Sequence, residues 1–260
     1  MRTLTRITSK DNANIKEISG LQKSSKHRRD EGVFVLEGLR LCLDAIENGF
    51  IPKKVFLSTS AISKYPEAVE KFLQYDEVYE VSDSLFGKFS DTVNPQGILC
   101  LFNIPFVSID KINNKGKYIA LENIQDPSNL GAISRTAEAF GISGLILTSG
   151  CADPYSSKSL RASMGALLRI PVYQVENLFE LFETKSLKSF AAVVNNNAKS
   201  INEISFSAGS VAIIGNEANG ICEESISKSD CKFTIPMNGR AESLNAAVAA
   251  SIIIWEMCKC

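Results

Sequence analysis

Three short segments of this 260-residue chain collect the residue types that hold ligands or move protons. The first runs Asn123-Ile-Gln-Asp-Pro-Ser-Asn129-Leu-Gly131-Ala-Ile-Ser-Arg135 and continues to Phe140-Gly141. It follows the apolar run 118–122, which the pattern predicts as a strand. Pro127 fixes a turn, and Ser128 or Asn129 is placed to cap a helix over Leu130–Phe140. Gly141 is placed to end that helix in a left-handed conformation. Leu130, Ile133, Ala137 and Phe140 form one apolar stripe. Arg135 lies roughly 140° around from Leu130 at 100° per residue, off the stripe. Its guanidinium can face a ligand; an idle surface arginine is the plainer alternative.

The second segment is Gly215-Asn216-Glu217-Ala-Asn219-Gly220-Ile221, directly after the strand-like run 211–214. Two glycines bracket a polar loop at the end of a strand, where open α/β sheets bind ligands. No Lys-Ser/Thr follows, so it is not a phosphate-binding P-loop, and G-x-G-x-x-G occurs nowhere in the chain. The third segment is Ile235-Pro236-Met237-Asn238-Gly239-Arg240-Ala-Glu242-Ser243-Leu244-Asn245. It leads into the small-residue run 246–251, with Ser243 placed as a helix cap. Exposed N–H groups at such a helix start favour a polar ligand.

What the chain lacks narrows the chemistry further. His27 is the only histidine, which removes histidine triads and histidine-metal sites. Seven cysteines include no C-x-x-C pair, so zinc is not expected and the thiols should be reduced. Hydrophobic residues at 45% and charged residues at 22% describe an ordinary globular protein of one large or two modest domains. No run approaches the roughly 20 apolar residues of a membrane span. The N-terminal stretch has no apolar core of a secretory leader. A soluble, cytoplasmic protein is the expectation.

These segments need a scaffold, and the periodicity supplies one. Short apolar strands alternate with amphipathic helices, which implies parallel sheets. One set ends with a strand over 98–102, a polar connection spans 112–117, and a second set begins at Tyr118. Helices are also predicted over 156–168 and 244–257. Charge divides unevenly between the sets. Residues 1–29 carry a net +6, residues 30–100 a net −6 and residues 101–260 a net −1. The densest basic cluster holds Lys23, Lys26, Arg28 and Arg29, an electrostatic footprint suited to nucleic acid or simply a solvated turn.

Taken together and in this order, the three segments resemble the SpoU (TrmH) family of RNA ribose 2′-O-methyltransferases in the SPOUT class. The resemblance rests on N-x-G-x-x-x-R, the G-x-E loop and I-P-M…S-L-N-x-x-V-A-A, and covers about residues 117–257. Phe34-Val-Leu-Glu-Gly38 followed by a helix also resembles the family's L30e-like substrate-binding domain. The implied fold is α/β, a parallel sheet with a C-terminal trefoil knot, preceded by a small L30e-like α/β domain. The implied domains are residues 1–105 for RNA binding, a linker over 106–116, and a methyltransferase domain over 117–260.

The implied activity is S-adenosylmethionine-dependent methylation of a ribose 2′-hydroxyl in structured RNA, foremost ribosomal RNA, with no metal, by a homodimer. The cofactor would be held by Gly215, Asn216, Glu217, Gly220, Ile221, Ile235, Met237, Ser243 and Leu244. The catalytic set carried over is Arg135, Asn129, Glu217, Ser243 and Asn245, with Lys23, Lys26, Arg28 and Arg29 on the RNA. In-line transfer from a sulfonium needs positioning and a route for a poorly acidic proton. A guanidinium stays protonated at physiological pH. Arg135 is therefore expected to clamp a phosphate and stabilise developing alkoxide rather than act as a literal base. A transfer RNA methyltransferase, a non-catalytic RNA-binding member and an unrelated nucleotide-binding enzyme are the alternatives.

Overall fold

The computed structural model describes residues 4–195, 197–216 and 218–259. The chain divides into two compact units. One holds residues 1–105 together with 155–161, the other residues 106–154 and 162–260.

The first unit is built on five strands, β1 (Thr5–Ile7), β2 (Val33–Glu37), β3 (Pro52–Ser58), β4 (Val78–Val81) and β5 (Ile98–Asn103), in the order β1-β4-β3-β5-β2. The sheet is mixed. β5 runs antiparallel to both β2 and β3, whereas β1, β3 and β4 are parallel. Alternation of strands with helices implied purely parallel pairing here, and that expectation is corrected. Apolar periodicity reports which faces are buried and not which way a strand runs. Ile15, Ile18 and Leu21 of α1 (Ala13–Lys23) join Val33, Val35, Phe56, Leu85 and Phe86 in one core. Each such burial contributes about 1.5–3 kcal/mol.

The basic cluster is helical rather than a turn. Ser24 ends α1 and caps α2 (Ser25–Glu31), its hydroxyl accepting from the His27 amide at 3.1 Å. Lys23, Lys26 and Arg29 are exposed on these helices, but Arg28 is only 4% exposed. Its guanidinium donates to the carbonyls of Leu21 and Gln22, the last-turn acceptors that α1 cannot satisfy itself. The expected phosphate contact of Arg28 is corrected to an internal helix-ending role. α3 (Leu39–Glu47), α4 (Thr59–Lys64), α5 (Pro66–Phe72) and α6 (Asp83–Phe89) complete this part of the chain.

The second unit carries seven parallel strands: β6 (Tyr118–Leu121), β7 (Gly144–Thr148), β8 (Val172–Val175), β9 (Lys188–Ala192), β10 (Lys199–Ser200), β11 (Ser210–Ile214) and β12 (Cys231–Thr234). Their order is β10-β12-β9-β11-β6-β7-β8, with every pairing parallel. β6 and β11 are buried at every position, as a sheet covered on both faces requires. α7 (Pro127–Ala139) packs against α12 (Ala246–Cys258), whose buried side includes Ala246, Ala250, Ile253, Ile254 and Met257. Lys117 Nζ donates to the Met257 carbonyl and thereby ends α12.

The helix predicted over 156–168 is broken into α8 (Ser157–Ala162) and α9 (Ala166–Arg169). Met164 and Gly165, at φ 52° and 85°, turn the chain between them. The backbone just before the break is closely packed. A Cβ on Gly131 would lie 2.8 Å from the Ala162 carbonyl carbon and the Ser163 nitrogen, so α7 rests directly on this backbone. α10 (Leu178–Lys185) and α11 (Glu223–Lys228) complete the set. Among the described residues no helix is long and apolar enough to cross a membrane.

Removing Arg28 should expose how much α1 depends on it. Arg28→Ala leaves two last-turn carbonyls without their charged donor and is expected to lower stability by about 2 kcal/mol. Urea unfolding of the full chain checks this, with an unchanged midpoint contradicting the assigned role.

Candidate active site

β6 and β11 end side by side, with Leu121 opposite Ile214. Strand order reverses here, β7 and β8 lying to one side and β9 and β12 to the other. Open α/β sheets form ligand crevices at such a point. A cavity of about 780 Å³ opens beside it, over the ends of β9, β11 and β12, where Ala192, Ile214 and Thr234 are among its lining. Small-molecule sites run from roughly 300 to 1,000 Å³.

Two of the sequence segments wall this cavity. Gly215, Asn216, Gly220 and Ile221 line it from the loop after β11. Ile235, Met237, Ser243 and Leu244 line it from the loop after β12. Glu217 lies outside the described residues. The first loop folds tightly on itself. The Asn216 amide donates to the Gly220 carbonyl at 3.0 Å and the Gly220 amide returns the bond at 2.8 Å. A Cβ on Gly215 would sit 2.1 Å from the Gly220 carbonyl carbon and 2.2 Å from the Ile221 nitrogen. Only glycine fits, because the colliding atoms are backbone. Gly220 has open space around it but a φ of +68°, which side-chain-bearing residues adopt at a cost.

The opposite wall escaped the sequence reading. Asn195, Asn197, Lys199 and Lys232 line the cavity from the segment after β9 and from the sheet edge. An asparagine-rich stretch after a strand was the available signal. It gained meaning only when β9 proved to neighbour β11.

The first segment meets the third through a pair of asparagines. Asn245, not Ser243, caps α12, its Oδ1 accepting from Ala247 at 2.9 Å and Val248 at 3.3 Å. Its Nδ2 donates to Asn129 Oδ1 at 3.0 Å. Asp126, not Ser128 or Asn129, caps α7, its carboxylate accepting from the Ser128 amide at 2.9 Å, with Pro127 as first helical residue. That leaves the Asn129 side chain available to the far loop. Both caps shift for one reason. The acceptor must stand before the first helical turn, and these helices begin elsewhere than the apolar pattern suggests.

Arg135 is placed differently. It is exposed, with no partner among the described residues, and it does not line the cavity. Six residues along α7 separate it from Asn129, about 9 Å at 1.5 Å per residue. Beside it, Ala132 joins Ala247, Val248, Ile252 and Trp255 in a shallow apolar surface. Val248 is 49% and Trp255 55% exposed. Phe140 departs from the buried stripe, being 40% exposed with its ring edge-on to Trp255 at 5.6 Å.

Other chemistry is sparse. Cys151 lies under the β6 exit, donating to the Leu121 carbonyl at 3.1 Å. Burial pushes its thiol up despite nearby hydrogen bonds, so it remains protonated and is a poor nucleophile. Among the described residues no group of three His, Cys, Asp or Glu side chains could hold a metal.

Residues 116–255, more than half of the chain, match the SpoU rRNA Methylase family. The chain belongs to that family. Residues 12–100 match the MRM3-like substrate binding domain. The 23S rRNA (guanosine(2553)-2′-O)-methyltransferase of Bacillus subtilis is 29% identical across 98% of this chain and 99% of its own. The 23S rRNA (uridine(2479)-2′-O)-methyltransferase of Streptomyces viridochromogenes is 27% identical across 96% and 91%. An AdoMet-bound rRNA methyltransferase from Sinorhizobium meliloti superimposes with a TM-score of 0.86 at 29% identity, over 98% of this chain and 97% of that one.

This SpoU methyltransferase has a cavity that fits S-adenosylmethionine. Its apolar wall of Ile235, Leu244 and Ile253 suits an adenine face, and the backbone of the Gly215–Gly220 loop supplies polar groups at close range. Gly215→Ala is expected to abolish S-adenosylmethionine binding while leaving the far-ultraviolet dichroism unchanged. Gly220→Ala adds only left-handed strain of about 1–2 kcal/mol and should weaken binding roughly tenfold. Calorimetric titration of both variants checks the order, which would be reversed if Gly220 set the loop.

Proposed function

We propose that this SpoU-family enzyme transfers the methyl group of S-adenosylmethionine to a ribose 2′-hydroxyl of ribosomal RNA. The observation that carries the reading is the Asn129–Asn245 contact, which ties a polar turn to the residue between the cavity-lining Leu244 and Ala246. The bound cofactor supplies an electrophilic methyl on a sulfonium, so the protein need only orient the hydroxyl and accommodate its proton. Asn129 and Asn245 orient the ribose. Ser243, which lines the cavity, and Glu217 are read as further members of the polar catalytic set. Arg135 holds an RNA phosphate and stabilises alkoxide character as the proton leaves.

Arg135 stands about 9 Å along α7 from Asn129 and does not line the cavity of its own chain. A homodimer resolves this. The apolar surface of Val248, Ile252 and Trp255 adjoins Ala132, one turn before Arg135 on α7; it is read as the face a second copy covers, with Arg135 serving the partner's cavity. The segment carrying the two cavity loops is read as the trefoil knot of the family. Residues 1–105 are read as an L30e-like RNA-binding domain and 106–116 as its linker, in a protein working in the cytoplasm on ribosomal RNA.

Arg135→Ala should leave S-adenosylmethionine affinity within about threefold and remove at least 99% of turnover, a loss of about 3 kcal/mol in transition-state stabilisation. Mapping 2′-O-methyl positions in ribosomal RNA from cells with and without the gene tests the function itself. An unchanged map, together with no turnover on ribosomal RNA in vitro, would overturn it.

The exposed cations of α1 and α2 give a separate expectation. Neutralising Lys23, Lys26 and Arg29 together should weaken RNA binding and reduce its log–log salt slope by about 2, at roughly 0.7 per phosphate contact on single strands. S-adenosylmethionine affinity should not move. A slope equal to wild type would show that these side chains are solvated surface.

A further inference from the structure

The turn from β6 into α7 is fastened at both ends by side-chain amides that belong to the two cavity loops. At its end, Asn129 receives Asn245. At its start, the Asn123 carbonyl accepts from Asn216 Nδ2 at 2.8 Å. Asn216 Oδ1 meanwhile accepts from the amides of Ala218 at 2.8 Å and Asn219 at 3.3 Å. Its side chain thus bridges its own loop and the neighbouring turn through backbone groups alone.

The receiving end is rigid. Asn123 has φ 57°, in the left-handed region, and its amide donates to Thr148 Oγ1 at 3.2 Å. Its side chain presses against Gly150, where a Cβ would lie 1.8 Å from Asn123 Oδ1. A second tie fastens the other end of the cofactor loop. The Cys222 amide donates to Glu122 Oε1 at 2.8 Å, and Glu122 is 5% exposed. The loop over 215–222 is therefore bound at both ends to consecutive residues, Glu122 and Asn123, directly after β6 in the segment that leads into Asn129.

Accordingly, we propose that Asn216 is a positioning residue rather than a cofactor ligand. It holds the cofactor loop in register with the turn that carries Asn129. This rests on the methyl-transfer reading and adds a residue through which that site is aligned. In-line displacement is sensitive to such alignment, since a misplacement of about 1 Å can cost about a hundredfold in rate.

Asn216→Asp isolates the link. The carboxylate still accepts from Ala218 and Asn219, but it sets an acceptor against the Asn123 carbonyl in place of a donor. The full-length variant should bind S-adenosylhomocysteine, which lacks the sulfonium charge, within threefold of wild type. Its single-turnover rate at saturating S-adenosylmethionine and ribosomal RNA should fall at least tenfold. Hydrogen exchange of the 123–129 segment with S-adenosylhomocysteine bound should rise, a readout that does not depend on turnover. A tenfold loss of S-adenosylhomocysteine affinity with wild-type rate at saturation would make Asn216 a cofactor ligand and overturn the proposal. Unchanged rate and exchange would overturn it equally. Asn216→Ser, too short to bridge both loops, is read by the same criteria if the aspartate variant does not fold. Wild-type turnover on the same RNA tests the underlying reading independently, because the exchange measurement stands without it.

Discussion

The site depends on the parallel pairing of β6 with β11. Strands that touch in a parallel sheet are joined by long crossovers, so these two come from positions nearly a hundred residues apart. Their register places Leu121 against Ile214, and the Glu122 amide extends the ladder by donating to the Ile214 carbonyl at 2.9 Å. The polar segments that follow must then emerge at one level, within reach of short side chains. A shift of one residue would turn every side chain of the strand to the opposite face and separate Asn216 from Asn123.

Asparagine does most of the joining above that pair. Its side chain is short, uncharged and able to donate and accept at once, so it bridges two loops without burying a charge. Asn245 accepts from the first turn of α12 while donating to Asn129. Asn216 performs the corresponding task between its own loop and Asn123. A charged residue in either place would meet like polarity on one side. Asn129 and Asn245 fall on the asparagines of the resembling motifs, whereas Asn216 occupies the variable place of G-x-E.

The contrast between Arg28 and Arg135 shows why residue type alone does not assign a role. Both are arginines on helices. Arg28 is drawn inward because α1 ends with unsatisfied carbonyls beside it. Arg135 stands on α7 with its neighbours Ile133, Ser134 and Ala137 buried and itself exposed. A guanidinium without an internal partner, next to an exposed apolar surface, is available to a substrate phosphate and to a second copy of the chain.

By itself the sequence determined the α/β class, the three polar segments and the placement of each directly after a strand, because burial periodicity and turn chemistry are local properties. The glycines at 215 and 220 were legible for the same reason, since a tight loop declares itself in residue type. Strand direction in the first sheet, the break at Met164 and the true caps Asp126 and Asn245 were decided only by tertiary structure. Each goes with packing from a distant part of the chain: β5 between β2 and β3, Ala162 against Gly131, and α12 against α7. The fate of Arg28 and the asparagine ties belong with them. A hydrogen bond between residues 93 or 116 positions apart leaves no period in the sequence, and only the fold brings its two ends together.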